Sequence, residues 1–408
     1  MNCRFCKTPV NVQFADLVNS PASNSYLTAE QLNEPEVFYP LKVMVCEKCF
    51  LVQVDEYKKS ADIFNSDYAY FSSFSTSWLA HCKKYTEMMI ARFGYNEKSL
   101  VTEIASNDGY LLQYFKEQNV PVLGIEPTAN TAAVAIKKGI PSVVDFFGVR
   151  LATQLASEGK KTDLLLGNNV LAHVPDINDF VGGMKILLKD NGVITMEFPH
   201  LYQLVLNSQF DTIYHEHFSY LSFTTVSQIF EANDLVMFDV EEVTTHGGSL
   251  RIFAKHKNDA SKPIGENVVK MLAKEKEAGM LSIEYYKNFQ LKIENIKNEL
   301  LEFLLQQKRS HKKVAAYGAA AKGNTLLNYC GIKNDMISFV VDANPAKQNK
   351  FMPASHIPIV LEERIKKDKP DFIIILPWNI KDEIVKQLDY VKEWGCKFVV
   401  PIPKLQII

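Results

Sequence analysis

Val101-Thr102-Glu103-Ile104-Ala105-Ser106-Asn107-Asp108-Gly109-Tyr110-Leu111-Leu112-Gln113-Tyr114-Phe115-Lys116-Glu117 is the stretch that decides the fold. Its first four residues read as a short buried strand, and Tyr110 to Glu117 as a helix. A strand that turns sharply into a helix opens a doubly wound α/β sheet. The pattern continues outward through Val122-Leu123-Gly124-Ile125, Asp163-Leu164-Leu165-Leu166 and Gly192-Val193-Ile194-Thr195-Met196, with helical stretches between most of them. Short apolar runs at this spacing predict a mostly parallel sheet covered by helices on both faces.

A second α/β alternation lies further on, at Val314 to Gly318, Ile337 to Asp342, Phe372 to Leu376 and Phe398 to Val400. The charged residues 260 to 310 between them carry helical periodicity and read as one or two joining helices. The expectation is an α/β chain: a small N-terminal zinc-binding domain (1–65) followed by two Rossmann-like doubly wound lobes (66–260 and 261–408). The 408 residues leave room for two or three domains. A net charge of −2 provides no field to attract nucleic acid or an anionic membrane. No apolar run approaches the ~20 residues that span a bilayer. Without an apolar leader ahead of Cys3, the expected location is the cytoplasm and the expected state a monomer.

Four of the seven cysteines form two close pairs, Cys3-x-x-Cys6 and Cys46-x-x-Cys49. Four thiolates complete a tetrahedral zinc shell and leave no open position for catalysis. A thioredoxin-like redox pair is the competing reading, but the first pair has no strand before it.

The turn after Val101–Ile104 sits where such a fold places its cofactor. Glu103, Ala105, Asn107 and Gly109 form it, and Asn168 ends a later strand. Glu126, at the end of the next strand, could accept from both ribose hydroxyls, and Asp145 before Phe146-Phe147 suits a contact near an adenine ring. A dinucleotide site uses Gly-x-Gly-x-x-Gly. Here the first two glycines are missing and an acid opens the motif, which favours a cationic sulfonium cofactor over a pyrophosphate. An NAD-dependent oxidoreductase and a ligand-free turn stay open at this point.

Tyr214-His215-Glu216-His217 is the densest titratable cluster. Methyl transfer to carbon needs a base beside a carbonyl and donors for the enolate oxygen, and a neutral imidazole suits the base. A second metal site lacks the His-Glu-x-x-His spacing, and a loop of mutually satisfied polar groups is the other alternative. Tyr68 and Tyr70 could line a sugar pocket. His173 and His246 sit in a loop and a glycine turn near the strand ends. In the second lobe, Tyr317-Gly318-Ala319-Ala320-Ala321-Lys322-Gly323-Asn324 opens a helix whose N-terminus and Lys322 suit a diphosphate, with Asn324 beside them. No P-loop signature supports an ATPase.

Together, the paired cysteines, Glu-Ile-Ala-Ser-Asn-Asp-Gly-Tyr-Leu-Leu, Tyr-His-Glu-His-Phe-Ser-Tyr-Leu, His-Gly-Gly-Ser-Leu-Arg and Tyr-Gly-Ala-Ala-Ala-Lys-Gly-Asn resemble a known family over essentially the whole chain. It is the S-adenosylmethionine-dependent C-methyltransferases of nucleotide-linked deoxysugars, in particular the tetronitrose-type C-3′-methyltransferases. The resemblance implies structural zinc, S-adenosylmethionine in the middle domain and a nucleotide-diphosphate keto-deoxysugar held largely by the C-terminal domain. It implies that His217 removes the sugar C-3′ proton, with Tyr214, Glu216, His173 and Tyr68 lining the pocket near the C-4′ ketone. Ala105 departs from the glycine common at its position.

Overall fold

The strand Val101–Ile104 is buried along its whole length, as its apolar run requires, and it is an interior strand of a seven-stranded sheet. The computed structural model describes residues 1–59 and 71–408, and the described chain divides into two compact units. The first comprises Met1–Val10, Cys46–Leu201 and Phe218–Leu281; the second comprises Asn11–Val45, Tyr202–His217 and Ser282–Ile408.

In the first unit the sheet order is Leu235–Val243, Ser249–His256, Leu188–Pro199, Thr162–Asn168, Val101–Ile104, Val122–Ile125, Ser142–Val143. The last five run parallel, and the hairpin Leu235–Val243/Ser249–His256 closes the edge antiparallel. Strand order reverses between Val101–Ile104 and Thr162–Asn168, and that reversal opens a crevice at their carboxyl ends. The helix Thr76–Phe93 lays Cys82, Tyr85 and Met89, spaced three and four apart, into the core around Leu112, Phe115, Leu164 and Phe253. Its N-terminus is capped by Ser75, whose hydroxyl accepts from the Trp78 amide at 3.3 Å.

A buried hydrogen-bonded pair fastens the C-terminal part of this unit. His200 lies 2.7 Å from Glu275, with side chains 1% and 0% exposed. Glu275, on the helix Glu266–Glu277, also accepts from the amides of Phe223 (2.6 Å) and Thr224 (2.8 Å) at the start of the helix Phe223–Glu231. Burial pushes the carboxyl up, but the bonds from His200 and Thr224 outweigh it and hold Glu275 below the usual carboxylate range. Its stabilisation is therefore present above the unfolded value near ~4.3 and is lost as pH falls through the lower folded value. Glu275→Ala removes the acceptor of His200 and of two helix-start amides, so an expected cost of about 3 kcal/mol should appear as a lowered Tm at pH 7. A melting curve superimposable on the parent would remove this pair from the stability account.

In the second unit a six-stranded sheet runs Ile359–Val360, Val340–Val341, Val314–Tyr317, Phe372–Ile375, Lys397–Val400, Gln406–Ile407. The first five are parallel and the last is antiparallel. Gly318, at φ 90°, makes the turn out of the central strand, and a Cβ there would meet Pro377 Cδ at 2.4 Å. The hairpin Val12–Ser20/Tyr39–Val45 belongs to this unit. Phe14 fastens it by stacking on Phe289, centroids 4.4 Å apart, at the head of the helix Phe289–Arg309. The charged stretch 260–310 forms the helices Glu266–Glu277, Glu284–Lys287 and Phe289–Arg309.

Candidate active site and metal centre

The two cysteine pairs form matching knuckles. Lys7 donates to the Cys3 carbonyl at 3.0 Å and Phe50 to the Cys46 carbonyl at 2.9 Å, and both donors have φ 59°. The turns bring Cys3 to 3.5 Å from Cys49 and Cys6 to 3.5 Å from Cys46, sulfur to sulfur. All four sulfurs lie within 4.8 Å of one another, and none is in a disulfide. Tetrahedral zinc with ~2.3 Å bonds sets sulfurs about 3.8 Å apart, so the set fits zinc with a closed shell. Arg4, inside the first knuckle, donates to the carbonyls of Phe218 (3.2 Å), Pro175 (2.9 Å) and Val54. Thr225 donates to the Cys49 carbonyl at 3.0 Å. The knuckles are thus tied to the seven-stranded unit.

At the crevice of the first unit, Glu103 is fully buried, and neither carboxylate oxygen has a hydrogen-bond partner among the described residues. Burial, with Glu126 and Asp108 adding like charge, pushes its carboxyl well above the usual range, although the Tyr110 hydroxyl lies against it. A fully buried acid at the head of the turn fits a cationic cofactor group and opposes a pyrophosphate. Glu126 accepts from the Asn107 and Thr128 amides, each at 2.8 Å, and from the Thr128 hydroxyl. It therefore shapes the turn from below. Asn107 (φ 48°) accepts from the Ser72 amide at 3.0 Å. A Cβ on Gly109 (φ 77°) would meet Ile140 Cδ1 at 2.4 Å. Ala105 holds φ 57°, a left-handed backbone that glycine adopts without strain. Asp145 accepts from Arg150 at 2.5 Å and from the Phe146 amide at 2.8 Å, beside an exposed Phe146 ring. Asn168 ends its strand paired with Glu197, and His173, itself half-buried, closes the otherwise buried turn Leu171–His173.

Sequence reasoning missed a charged network in this unit. Glu197 accepts from His81 (2.9 Å), Arg251 (2.9 Å) and the Thr245 hydroxyl (2.7 Å). Burial pushes its carboxyl up, but His81 and Arg251 overcome that and leave it below the usual range. Trp78 stacks on His81 at 5.0 Å and leans on His246 at 5.5 Å. His246 itself sits at φ 52° with its Nε2 3.0 Å from Asn169 Nδ2. The sequence signals were Arg251, the last residue of the His-Gly-Gly-Ser-Leu-Arg motif, and Glu197 near a strand's carboxyl end.

In the second unit the reaction-loop candidates come together. His217 Nδ1 lies 2.9 Å from the Thr212 carbonyl, and the Tyr214 ring lies 4.0 Å from the imidazole. A carbonyl only accepts, so Nδ1 carries the hydrogen and Nε2 keeps its lone pair in the neutral ring. Glu216 is 7% exposed and accepts from Asn24 Nδ2 at 2.8 Å. His215 turns away to the Pro40 carbonyl at 3.2 Å. Thr325, on the helix Ala321–Cys330, donates to the Ile213 carbonyl at 2.9 Å and pins the loop to that helix. Near the helix start, Lys322 donates to Asn379 at 2.7 Å and lies 4.7 Å over the Trp378 ring. Trp378 in turn donates to Asp211 at 2.7 Å. Burial raises the Asp211 carboxyl to about 6, against the pull of Lys322. Asn324 is fully buried, and its Nδ2 has no partner among the described residues. Tyr68 and Tyr70 lie outside the described residues. Among the described residues, no helix is long and apolar enough to cross a membrane.

Residues 84–240 match the methyltransferase domain family, residues 244–403 the C-methyltransferase C-terminal domain family, and residues 3–64 a zinc binding domain family. The chain is 32% identical over 406 residues to C-methyltransferase NovU of Streptomyces niveus, covering 100% of this chain and 96% of that protein. It belongs to the NovU-like family of S-adenosylmethionine-dependent C-methyltransferases with an N-terminal zinc-binding segment. Among solved structures, a protein of Pyrococcus horikoshii OT3 shares 14% identity over 49% of this chain and 100% of its own, with a TM-score of 0.39. The 1,6-didemethyltoxoflavin-N1-methyltransferase of Burkholderia thailandensis shares 17% over 51% of this chain and 95% of its own, with a TM-score of 0.38.

Proposed function

We propose that this enzyme adds a methyl group to C-3′ of a nucleotide-linked 4-keto-6-deoxy sugar, through an enolate, with His217 as the base. The observation that carries this reading is the 2.9 Å contact of His217 Nδ1 with the Thr212 carbonyl, which assigns the ring hydrogen to Nδ1 and the basic lone pair to Nε2. S-adenosylmethionine supplies an electrophilic methyl on a sulfonium and leaves as a neutral thioether. His217 Nε2 takes the C-3′ proton; the electron pair of that C–H bond delocalises onto the C-4′ ketone and then forms the new C–C bond. Tyr214 donates to the enolate oxygen, and Glu216 and His173 line the pocket. Glu103 receives the cationic end of the cofactor, while Glu126 and Gly109 keep the turn shaped for it. Asn168 and Asp145 complete the cofactor contacts. His246, Lys322, Asn324 and Tyr70 hold the nucleotide sugar. The four cysteines hold zinc as a structural staple and take no part in the reaction. In this reading the enzyme works as a cytoplasmic monomer, with its roles divided over residues 1–65, 66–260 and 261–408.

The test is mass spectrometry of reactions containing the enzyme, S-adenosylmethionine and a panel of 4-keto-6-deoxy nucleotide sugars. A product heavier by one methylene with at least one sugar is expected. Tight cofactor binding with no methylated sugar would overturn the substrate assignment.

A further inference from the structure

The segment between the two cysteine pairs has a second role in the unit it joins. Residues 11–45 fold with Tyr202–His217 and Ser282–Ile408. Two anchors hold it there: Phe14 stacked on Phe289, and Leu27, which exchanges backbone hydrogen bonds with Phe351 at 3.0 and 2.9 Å. Between the anchors lies a tight turn in which the Ser25 amide donates to the Ala22 carbonyl at 3.1 Å and Ser23 is buried. This turn presents Asn24 to Glu216 at 2.8 Å. Two residues on, the Tyr26 hydroxyl donates to the Ala319 carbonyl at 2.6 Å. The same carbonyl accepts from Lys347 at 2.8 Å, and the Lys347 ammonium lies 5.4 Å over the Tyr26 ring. One short stretch thus touches both the reaction loop and the turn before the helix Ala321–Cys330. An amide donor holds a carboxylate in one orientation without neutralising its charge, which a lysine or arginine in its place would do.

We propose that Asn24 is a positioning residue for methyl transfer: it sets the orientation of Glu216, so the segment between the cysteine pairs forms part of the sugar site. This rests on Tyr214–His217 being the reaction loop. Truncating a donor to a buried carboxylate costs about 10- to 100-fold when the carboxylate's orientation matters to the reaction.

The experiment is a double-mutant cycle on the full-length zinc-loaded enzyme with a sugar that it methylates. Asn24→Leu is expected to lower kcat about 10-fold or more, with the sugar KM and S-adenosylmethionine Kd within about threefold of the parent. Asn24→Gln, which keeps an amide donor, is expected to recover part of the loss and guards against a folding defect. In a Glu216→Ala background, which removes the acceptor of the Asn24 amide, Asn24→Leu should add nothing, because its effect runs through that carboxylate. Equal losses in both backgrounds, or parental kcat in Asn24→Leu, overturn the assignment of Asn24. Parental turnover in both Glu216→Ala and His217→Ala instead overturns the reaction loop itself, and the Asn24 role falls with it.

Discussion

His217→Ala is expected to lower kcat by about 10²–10⁴-fold while S-adenosylmethionine binds with nearly parental affinity. The size follows from the chemistry. In the proposed reaction the methyl acceptor is a carbon that becomes nucleophilic only after losing a proton, so without a base the enolate would not accumulate. The selectivity follows from the placement of residues. His217 belongs to the unit that carries Tyr214, Glu216 and the helix Ala321–Cys330, whereas the acid-bearing turn at Glu103–Gly109 belongs to the other. Loss of the imidazole therefore leaves Glu103, Glu126 and Asn107 in place. Cofactor affinity by calorimetry and turnover by product analysis separate the two effects. Parental turnover in His217→Ala would remove this residue from the base role.

Cys46→Ser is expected to release the zinc and destabilise the first unit. Structural zinc in small cysteine sites is worth about 10–16 kcal/mol of apparent binding free energy, and a hydroxyl is a poor replacement for a thiolate. The damage should extend beyond the knuckles. Arg4 bonds to the carbonyls of Val54, Pro175 and Phe218, and Thr225 bonds to that of Cys49, so slack in either knuckle reaches the loops beside the sheet. Metal content by atomic spectroscopy should fall below the parental one zinc per chain, together with a lower Tm. Unchanged metal content would refute the four-cysteine shell.

Much of the fold was legible because its strands are written locally. Val101–Ile104, Val122–Ile125, Phe372–Ile375 and Lys397–Val400 coincide with short apolar runs whose burial leaves no other conformation competitive. The strand expected over Ile337 to Asp342 is shorter, Val340–Val341, since Ser338 pairs only through its amide to the Val314 carbonyl. The cysteine centre was legible because two turns of the same spacing carry the same ligand chemistry. Least legible was the membership of residues 11–45 in the second unit. Nothing in an alternating hairpin pattern says which distant helix will cover it, and Phe14 meets Phe289 across a long stretch of chain.

The site divides along the same line. Glu103, Asn107, Gly109 and Glu126 could be placed because one strand–turn–helix and the next strand end bring them together. Asn24 and Glu216 are 192 positions apart, and no local periodicity links them. Glu197, His81 and Arg251 meet from three elements, and each alone reads as an ordinary charged residue. Ala105 illustrates the reverse case. Its departure from glycine is visible in sequence, but the left-handed backbone it must hold is not.

The most direct test of the central claim is carbon NMR of the product formed with S-adenosylmethionine labelled with carbon-13 in its methyl group. The account predicts a labelled methyl bonded to a sugar carbon beside the carbonyl, with the C-3′ proton gone, and no labelled product from His217→Ala. A labelled methyl on oxygen or nitrogen would contradict it.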